Sequence, residues 1–145
     1  MTDQLITLEV RSAAASDAAA VSDLLEQLGF PSSAAEVTER LRTLNKGALV
    51  AVRAGRVVGL ITMNIMPVLH RPTSVGRIST LIVSKKERGS GIGRALVVAA
   101  EQLLHQQGCD LVEVTSNMKL ADAHAFYERL GYEATSLRFA KALRR

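Results

Sequence analysis

The sequence has few of the residues on which several classes of protein depend. Only 3% of its 145 residues are aromatic and none is tryptophan, so its core must be aliphatic. The single cysteine, Cys109, excludes an internal disulfide and a cysteine-rich metal site and is expected to be a small buried side chain. No apolar run approaches the roughly 20 residues of a membrane span, and the N-terminus lacks the features of a secretory signal. These absences predict one soluble domain over residues 1–145, cytoplasmic, without a metal and not associated with a membrane.

Positive charge is in modest excess, with a formal net charge of +4. Such a surface would suit any polyanion, including nucleic acid. However, the basic residues are mostly scattered, and no aromatic residues lie among them to stack on bases. The densest group consists of Lys85, Lys86, Arg88 and Arg94. We therefore expect no nucleic-acid partner, and a basic nucleic-acid-binding domain is kept as the weakest of three alternatives.

That basic group surrounds the most informative stretch, Arg88-Gly89-Ser90-Gly91-Ile92-Gly93-Arg94. It follows an apolar run and opens a helical pattern, so its unpaired backbone N–H groups and the helix dipole should bind an anion such as pyrophosphate. The spacing excludes two familiar phosphate-binding motifs. The third glycine of the dinucleotide fingerprint would have to stand at Arg94, and a P-loop would need Lys-Ser/Thr directly after Gly93.

The hydrophobic pattern predicts an α/β (α+β) fold in the order β-α-α-β-β-β-α-β-α-β. A strand over Leu5 to Arg11 is followed by two short helices, the second opening with the capping-box pattern Ser33-Ala34-Ala35-Glu36. A hairpin turning near Gly55 comes next. The remaining elements are a strand (about Val75 to Val83), the helix after the glycine loop, a strand (Asp110 to Thr115), a helix (Leu120 to Leu130) and a last strand (Tyr132 to Phe139). This order predicts a mixed, mostly antiparallel sheet flanked by helices.

Two motifs resemble those of the GCN5-related N-acetyltransferase (GNAT) family. Arg-x-x-Gly-x-Gly, present as Arg88, Gly91 and Gly93, is similar to its coenzyme A signature. Asn117 together with the run from Ala121 to Tyr132 looks like its Asn…Ala-x-x-Phe-Tyr-x-x-x-Gly-Phe/Tyr segment. The resemblance covers about Val75 to Tyr132, and before Val75 only the order of elements matches. It implies the acyl-CoA N-acyltransferase fold, acetyl-CoA as co-substrate, and a possible homodimer.

The resemblance also implies roles for individual residues. Residues 88–94 (Arg88, Gly89, Ser90, Gly91, Ile92, Gly93 and Arg94) would bind the pyrophosphate. Leu81, Ile82 and Val83 would bind pantetheine through main-chain groups, and Asn117 would contact the cofactor. Tyr127 would point at the sulfur, where a phenol can stabilise or protonate the departing thiolate. The implied activity is direct transfer of an acetyl group from acetyl-CoA to a primary amine of a small molecule or a protein.

One departure from the family pattern bears on catalysis. Many relatives carry a glutamate as general base on the strand before the glycine loop, where this chain has Ser79 and Thr80. Hydroxyls are far too weakly basic for that role, so the base is unassigned. Glu113 could act through a water chain, or the amine could bind already deprotonated. The alternative function is a non-catalytic acyl-CoA-binding or sensing module on the same fold.

Overall fold

A computed structural model of the chain describes residues 7–115 and 121–144. The strands are β1 (Leu8–Ser12), β2 (Ala48–Arg53), β3 (Arg56–Met66), β4 (Val75–Val83) and β5 (Leu111–Val114). The helices are α1 (Ala18–Leu28), α2 (Ala34–Leu44), α3 (Ile92–Gln106) and α4 (Ala121–Arg129). Short 3₁₀ turns at Ala15–Asp17 and Lys85–Glu87 precede α1 and the glycine loop.

The five strands form one sheet in the order β1-β2-β3-β4-β5. Neighbouring strands are antiparallel except for β4 and β5, which are parallel. The predicted hairpin joins β2 to β3 through Ala54 and Gly55, whose φ angles of 53° and 75° are those of a tight turn with two left-handed residues. The mixed, mostly antiparallel sheet predicted from the sequence is therefore confirmed.

Helices cover both faces of the sheet and bury two apolar clusters. On one face α3 lies close to β3, because a Cβ at Gly59 would be 2.9 Å from a Leu96 methyl carbon and 3.1 Å from one of Ile92. On the other face α1 and α2 pack over the sheet through Val21, Leu24 and Val37. Side chains of β4 lie on both of these faces.

Local signals in the sequence account for the ends of the helices. The capping box before α2 is formed, with Ser33 N–H donating to Glu36 at 2.8 Å and Glu36 N–H donating to the Ser33 hydroxyl at 3.1 Å. Gly29 ends α1 with a φ of 99°, and Gly131 follows α4 with a φ of 94°. The order of helices and strands up to α4 is as predicted.

The last predicted strand, Tyr132 to Phe139, is not formed. The chain after Gly131 has no regular secondary structure, and residues 133–144 are exposed. An isolated strand has no partner to satisfy its backbone N–H and C=O groups, and no strand in the described part of the chain pairs with this segment. The prediction was therefore wrong for the single chain, although the apolar residues that prompted it are present.

Among the helices of residues 7–115 and 121–144, none has both the length and the apolar character needed to cross a membrane.

Candidate active site

The glycine loop forms a short, open turn between β4 and α3. Gly89 and Gly91 have φ angles of 81° and 84°, a left-handed conformation that side chains disfavour. A Cβ at either position would meet no atom within 4 Å, so the space over the loop is open. Gly91 is the N-cap of α3 and supplies no side chain to the free N–H groups of the first turn. These features fit an anion such as a pyrophosphate.

Neighbouring contacts hold the segment before the loop. The Lys85 N–H donates to the Gln27 side chain of α1 at 2.9 Å, and Arg53 at the end of β2 pairs with Glu87 at 3.3 Å. The Arg88 Nε donates to the Val83 carbonyl at 3.3 Å. The side chains of Lys85, Lys86, Arg88 and Arg94 are exposed around the loop, as the sequence predicted.

Two residues of the predicted cofactor segment have packing roles as well. Ile92 is 1% exposed and belongs to the core beneath α3, so only its main chain can face a ligand. A Cβ at Gly93 would lie 3.2 Å from the Phe126 ring, tighter than an ordinary contact. The absence of a side chain at Gly93 therefore lets α4 approach the first turn of α3.

Strand β4 contains a bulge at Ser79. Thr62 of β3 faces Thr80, whereas its neighbour Met63 faces Ile78, so Ser79 is an extra residue opposite β3. Pairing with β5 runs only from Val75 to Ile78 and stops at the residue before the bulge. The second half of β4 thus has no β5 partner in the described chain, and we call this unpaired side of β4 the gap.

Hydrogen bonding determines which main-chain groups face this gap. The Ser84 N–H donates to the Val58 carbonyl at 2.9 Å, so Ser84 is turned towards β3. Main-chain direction alternates along an antiparallel pair, so Ile82 also faces β3 while Leu81 and Val83 face away from it. Of the three predicted pantetheine contacts, Leu81 and Val83 therefore have main-chain groups towards the gap. Ile82 has its main chain in the β3–β4 ladder and its side chain in the core under α1 and α2.

A cavity of about 420 Å³ lies on the opposite side of β4, between the sheet and the first two helices. Its floor includes the side chains of Thr62, Ser79 and Thr80, and the connection between α1 and α2 contributes Phe30 and Ser32. The remaining lining residues are Val21, Leu25, Val37, Arg40, Leu41, Thr43, Leu44 and Leu60. The walls are mainly apolar, and Ser79 and Thr80 bring the cavity to the half of β4 that has no β5 partner in the described chain.

Arg40 is the one charged residue among the described residues that line this cavity. Its Nη1 donates to the Ser32 hydroxyl at 2.7 Å, which ties the guanidinium to the α1–α2 connection. That bond uses one of five N–H donors of the guanidinium. Sequence reasoning did not find Arg40. The only signal in the sequence was that Arg40 stands on α2 one residue before Leu41 of the apolar stripe. This signal does not reveal the cavity, because the cavity forms only when the helices pack on the sheet.

Tyr127 lies on α4 in an aromatic group with Phe126 and Tyr132. Ring centroids are 5.1 Å from Phe126 and 5.8 Å from Tyr132, both edge-to-face. Burial raises the pKa of the Tyr127 phenol, so the hydroxyl is protonated at neutral pH and can act as an acid. The neighbouring Tyr132 hydroxyl instead donates to Glu101 of α3 at 2.7 Å.

Within residues 7–115 and 121–144, the contacts of Ser79 and Glu113 do not favour either one as a general base. The Ser79 hydroxyl is hydrogen-bonded to that of Thr62 at 2.9 Å, which leaves it no more basic than any alcohol. Glu113, considered above as a base acting through water, accepts from the Arg77 Nε at 2.8 Å and forms an ion pair with the same guanidinium. Its carboxylate is already engaged by Arg77, so the structure adds no support to this hypothesis.

Some expectations concern residues away from these groups. Asn117, predicted to contact the cofactor, lies outside the described residues. Cys109 is 2% exposed in the core, as expected, and burial raises the pKa of its thiol. Across residues 7–115 and 121–144, no group of three or more histidine, cysteine or acidic side chains could hold a metal ion.

Comparisons with known proteins identify the family to which this fold and site belong. Residues 18–132 match the Acetyltransferase (GNAT) family. The chain is 42% identical over 94 residues to an aminoalkylphosphonate N-acetyltransferase of Salmonella typhimurium, a match that covers 65% of this chain and 61% of that protein. It is 31% identical over 145 residues to a glucosamine 6-phosphate N-acetyltransferase of Trypanosoma brucei brucei, covering 92% and 94%.

A solved aminoglycoside N-acetyltransferase in complex with CoA has the same fold. It superposes with a TM-score of 0.84 at 14% identity and covers 97% of each chain. At that identity the likeness concerns the fold alone, and the family match carries the assignment. The chain therefore belongs to the Acetyltransferase (GNAT) family.

Proposed function

We propose that this acetyltransferase moves an acetyl group from acetyl-CoA to the primary amine of a small acceptor bearing an anionic group. The observation that carries the reaction is the gap beside β4, which leads to the open glycine loop at its end. A substrate that combines a pyrophosphate with an extended amide chain matches both parts. Residues 1–145 are proposed to be one such domain, since helices from both parts of the chain pack on one sheet.

Each part of the proposed cofactor site has a distinct task. The N–H groups at the start of α3, with Arg88 and Arg94, bind the pyrophosphate. The main-chain groups of Leu81 and Val83 pair with the amides of the pantetheine chain. When bound, acetyl-CoA supplies an activated acyl group as a thioester. N–H groups on this open edge of β4 also stabilise the carbonyl oxygen as negative charge develops on it.

The transfer itself is direct. The neutral amine nitrogen forms a bond to the carbonyl carbon, and the bond from that carbon to sulfur breaks. Tyr127 donates its proton to the departing thiolate, the proton lost by the amine passes to water, and water returns a proton to the Tyr127 phenolate. Because no carboxylate or imidazole lines the acceptor cavity among the described residues, the amine enters deprotonated. The rate should therefore rise with pH until the amine itself has titrated.

The lining of the cavity supports the choice of acceptor. A volume of about 420 Å³ suits a small molecule, and Arg40 gives the described lining a positive charge with no carboxylate to attract a polycation. The guanidinium matches the geometry of a phosphate or phosphonate. The acceptors named for the Salmonella and trypanosome relatives are a phosphonate and a sugar phosphate, each bearing an amine. We infer the same class here.

An acceptor panel tests this proposal through the release of free thiol from acetyl-CoA. Glucosamine 6-phosphate is compared with glucosamine, and 2-aminoethylphosphonate with ethanolamine. A hydrogen bond to a charged group contributes about 1.5–3 kcal/mol, so kcat/KM should be about 10- to 150-fold higher for the anionic member of a pair. Equal values within both pairs would contradict the assignment of an anionic acceptor.

Two arginine variants connect the preference to one side chain. Arg40→Met should remove most of the preference for the anionic acceptor while leaving the dissociation constant of acetyl-CoA unchanged. Arg42→Met is the matched control, because Arg42 is on the same helix but pairs with Glu39 at the surface and does not line this cavity. If acetyl-CoA stabilised the protein against heat but no amine caused release of free thiol from acetyl-CoA, the protein would instead be a non-catalytic binding module.

A further inference from the structure

Most hydroxyls in the acceptor cavity are already hydrogen-bonded within the protein. Those on its described lining belong to Ser32, Thr43, Thr62, Ser79 and Thr80. Thr62 and Ser79 bond to each other at 2.9 Å. The Thr43 hydroxyl donates to a carbonyl of its own helix at 3.2 Å, and the Ser32 hydroxyl accepts from Arg40 at 2.7 Å. A ligand therefore finds little free hydrogen-bonding capacity at these four hydroxyls.

Two polar groups remain for a ligand, one on the sheet and one on the helix layer above it. Thr80 on β4 makes no side-chain hydrogen bond to another described residue, and Arg40 on α2 keeps the N–H donors that Ser32 does not use. The rest of the described lining is apolar and includes Val37 of α2 and Leu60 of β3. A ligand hydroxyl against such walls would lose its hydrogen bonds to water without replacement. The cavity therefore suits a molecule that is polar at two ends and apolar between them.

The position of β4 determines which end of that molecule carries the amine. Thr80 directly precedes Leu81, whose main-chain groups face the gap in which the thioester is proposed to lie. The Thr80 hydroxyl can accept an N–H of a neutral amine and leave the nitrogen lone pair free to attack the carbonyl carbon. The guanidinium of Arg40 matches an anion and repels a cationic amine. The amine therefore belongs at Thr80 and the anionic group at Arg40.

We propose that the acceptor has a primary amine and a phosphonate or phosphate at opposite ends of an apolar chain or ring. This inference rests on the proposed function, because it divides that acceptor between Thr80 and Arg40. A cavity of about 420 Å³ lies in the range of sites for drug-sized ligands, so a body longer than two carbons is needed to fill it. An amino sugar phosphate fits less well, since its ring hydroxyls would face apolar walls.

The test is a series of ω-aminoalkylphosphonates with two to six carbons between the amine and the phosphonate. Thiol release from acetyl-CoA gives kcat/KM for each compound. We expect kcat/KM to rise by up to about fourfold for each added methylene, the gain from burying that group, until the chain spans the cavity. The best member should exceed glucosamine 6-phosphate by about 10-fold or more. A series that is flat or falls with length, or a sugar phosphate that is the best acceptor, would overturn the inference.

Alkylamines of the same lengths, which lack the phosphonate, separate this inference from the proposed function. If they react as well as the phosphonates, the anionic acceptor itself is wrong. If the phosphonates are preferred but their length has no effect, the anionic acceptor stands and only the apolar body is wrong.

A valine variant tests the assignment of the amine end. Thr80→Val keeps the side-chain shape but removes the hydroxyl, so kcat/KM should fall by about 5- to 10-fold for every member of the series. The dissociation constant of acetyl-CoA and the thermal stabilisation it gives should be unchanged, which shows that the fold is kept. Thr38→Val is the matched control, because the Thr38 hydroxyl donates to the Ala34 carbonyl and the residue does not line this cavity. Equal kcat/KM for Thr80→Val and the wild type would refute the role of Thr80.

A second variant tests the apolar walls. Phe30 lines the cavity but is 66% exposed, so its replacement should not disturb the core. Phe30→Ser should reduce the gain in kcat/KM with chain length and leave 2-aminoethylphosphonate within about twofold. Val98→Ser is the control, because Val98 is partly exposed on α3, which covers the other face of the sheet. An unchanged dependence on length in Phe30→Ser would contradict burial of the chain in this cavity.

Discussion

Two tyrosines in one aromatic group offer a direct test of the proposed acid. Tyr127 and Tyr132 lie 5.8 Å apart by ring centroid, yet their hydroxyls are engaged differently. The Tyr132 hydroxyl donates to Glu101 at 2.7 Å, whereas the Tyr127 hydroxyl makes no hydrogen bond to another described residue. Replacing each by phenylalanine removes one hydroxyl oxygen from the same aromatic group. Tyr127→Phe should therefore lower the rate, whereas Tyr132→Phe should lower the stability.

For Tyr127→Phe we expect a large kinetic effect with little change in stability. A positioned general acid contributes about 100-fold or more to the rate, so kcat should fall by about that factor while acetyl-CoA affinity is retained. The free energy of unfolding should change by less than about 0.5 kcal/mol, because no hydrogen bond within the described chain is lost. Burial raises the pKa of this phenol, so in the wild type its proton should be retained through pH 9.

For Tyr132→Phe the expectation is reversed. Loss of a half-buried hydrogen bond to a carboxylate should cost about 1–2 kcal/mol and lower the Tm by about 3–6 °C. kcat should stay within about threefold of the wild type. Thiol release under saturating acetyl-CoA and thermal unfolding measure both quantities. If Tyr127→Phe kept its kcat within threefold of wild type, the assignment of Tyr127 as the acid would be refuted.

Three further predictions follow from other parts of the structure. Gly91→Ala should weaken acetyl-CoA binding about 10-fold by calorimetry. Gly108→Ala is the control, because Gly108 has a similar φ and equally open surroundings. Both variants should lose roughly 1–2 kcal/mol of stability from backbone strain, but Gly108→Ala should bind acetyl-CoA normally. Asp17→Asn should cost about 2 kcal/mol in urea unfolding at pH 7, because the nearly buried Asp17 makes two hydrogen bonds to Arg11. Arg11 lowers the pKa of Asp17, so this stabilisation is present above the unfolded pKa near 4 and is lost as the pH falls through the folded one; an equal cost at pH 2 would contradict it. Cys109 should resist thiol reagents at pH 8 in the native state and react after denaturation, whereas rapid native labelling would show that its burial is not maintained.

The parts of the fold that could be predicted from sequence are those with local signals. Strand β4 has the predicted bounds because its apolar run is ended by a glycine-rich turn. Helix α2 begins where its capping box stands, since Ser33 and Glu36 satisfy each other's backbone donors. The glycine loop is a local feature as well, since Gly89 and Gly91 adopt positive φ angles between β4 and α3, while its role in binding a pyrophosphate stays a prediction.

Features that depend on a partner strand or helix could not be predicted in this way. Alternation in residues 132–139 indicates a strand but does not say which strand will accept its hydrogen bonds. The pairing of Glu113 with Arg77 depends on the register between β4 and β5, so a candidate base read from sequence was already engaged. Arg40 could be recognised as a candidate only from the structure, because α1, α2 and the sheet together form the cavity that it lines.

The pairing of β4 with β5 ends just before the single extra residue of β4, Ser79. Ser79 and Thr80 both face the cavity under α1 and α2, whereas Leu81 and Val83 pack towards α3. Removing Ser79 would restore strict alternation and leave every later side chain on its present face. A one-residue deletion elsewhere in a strand would invert those faces. A chain without Ser79 should therefore fold with an intact core but a straighter β4. The gap beside β4 can thus be lost while the fold is kept.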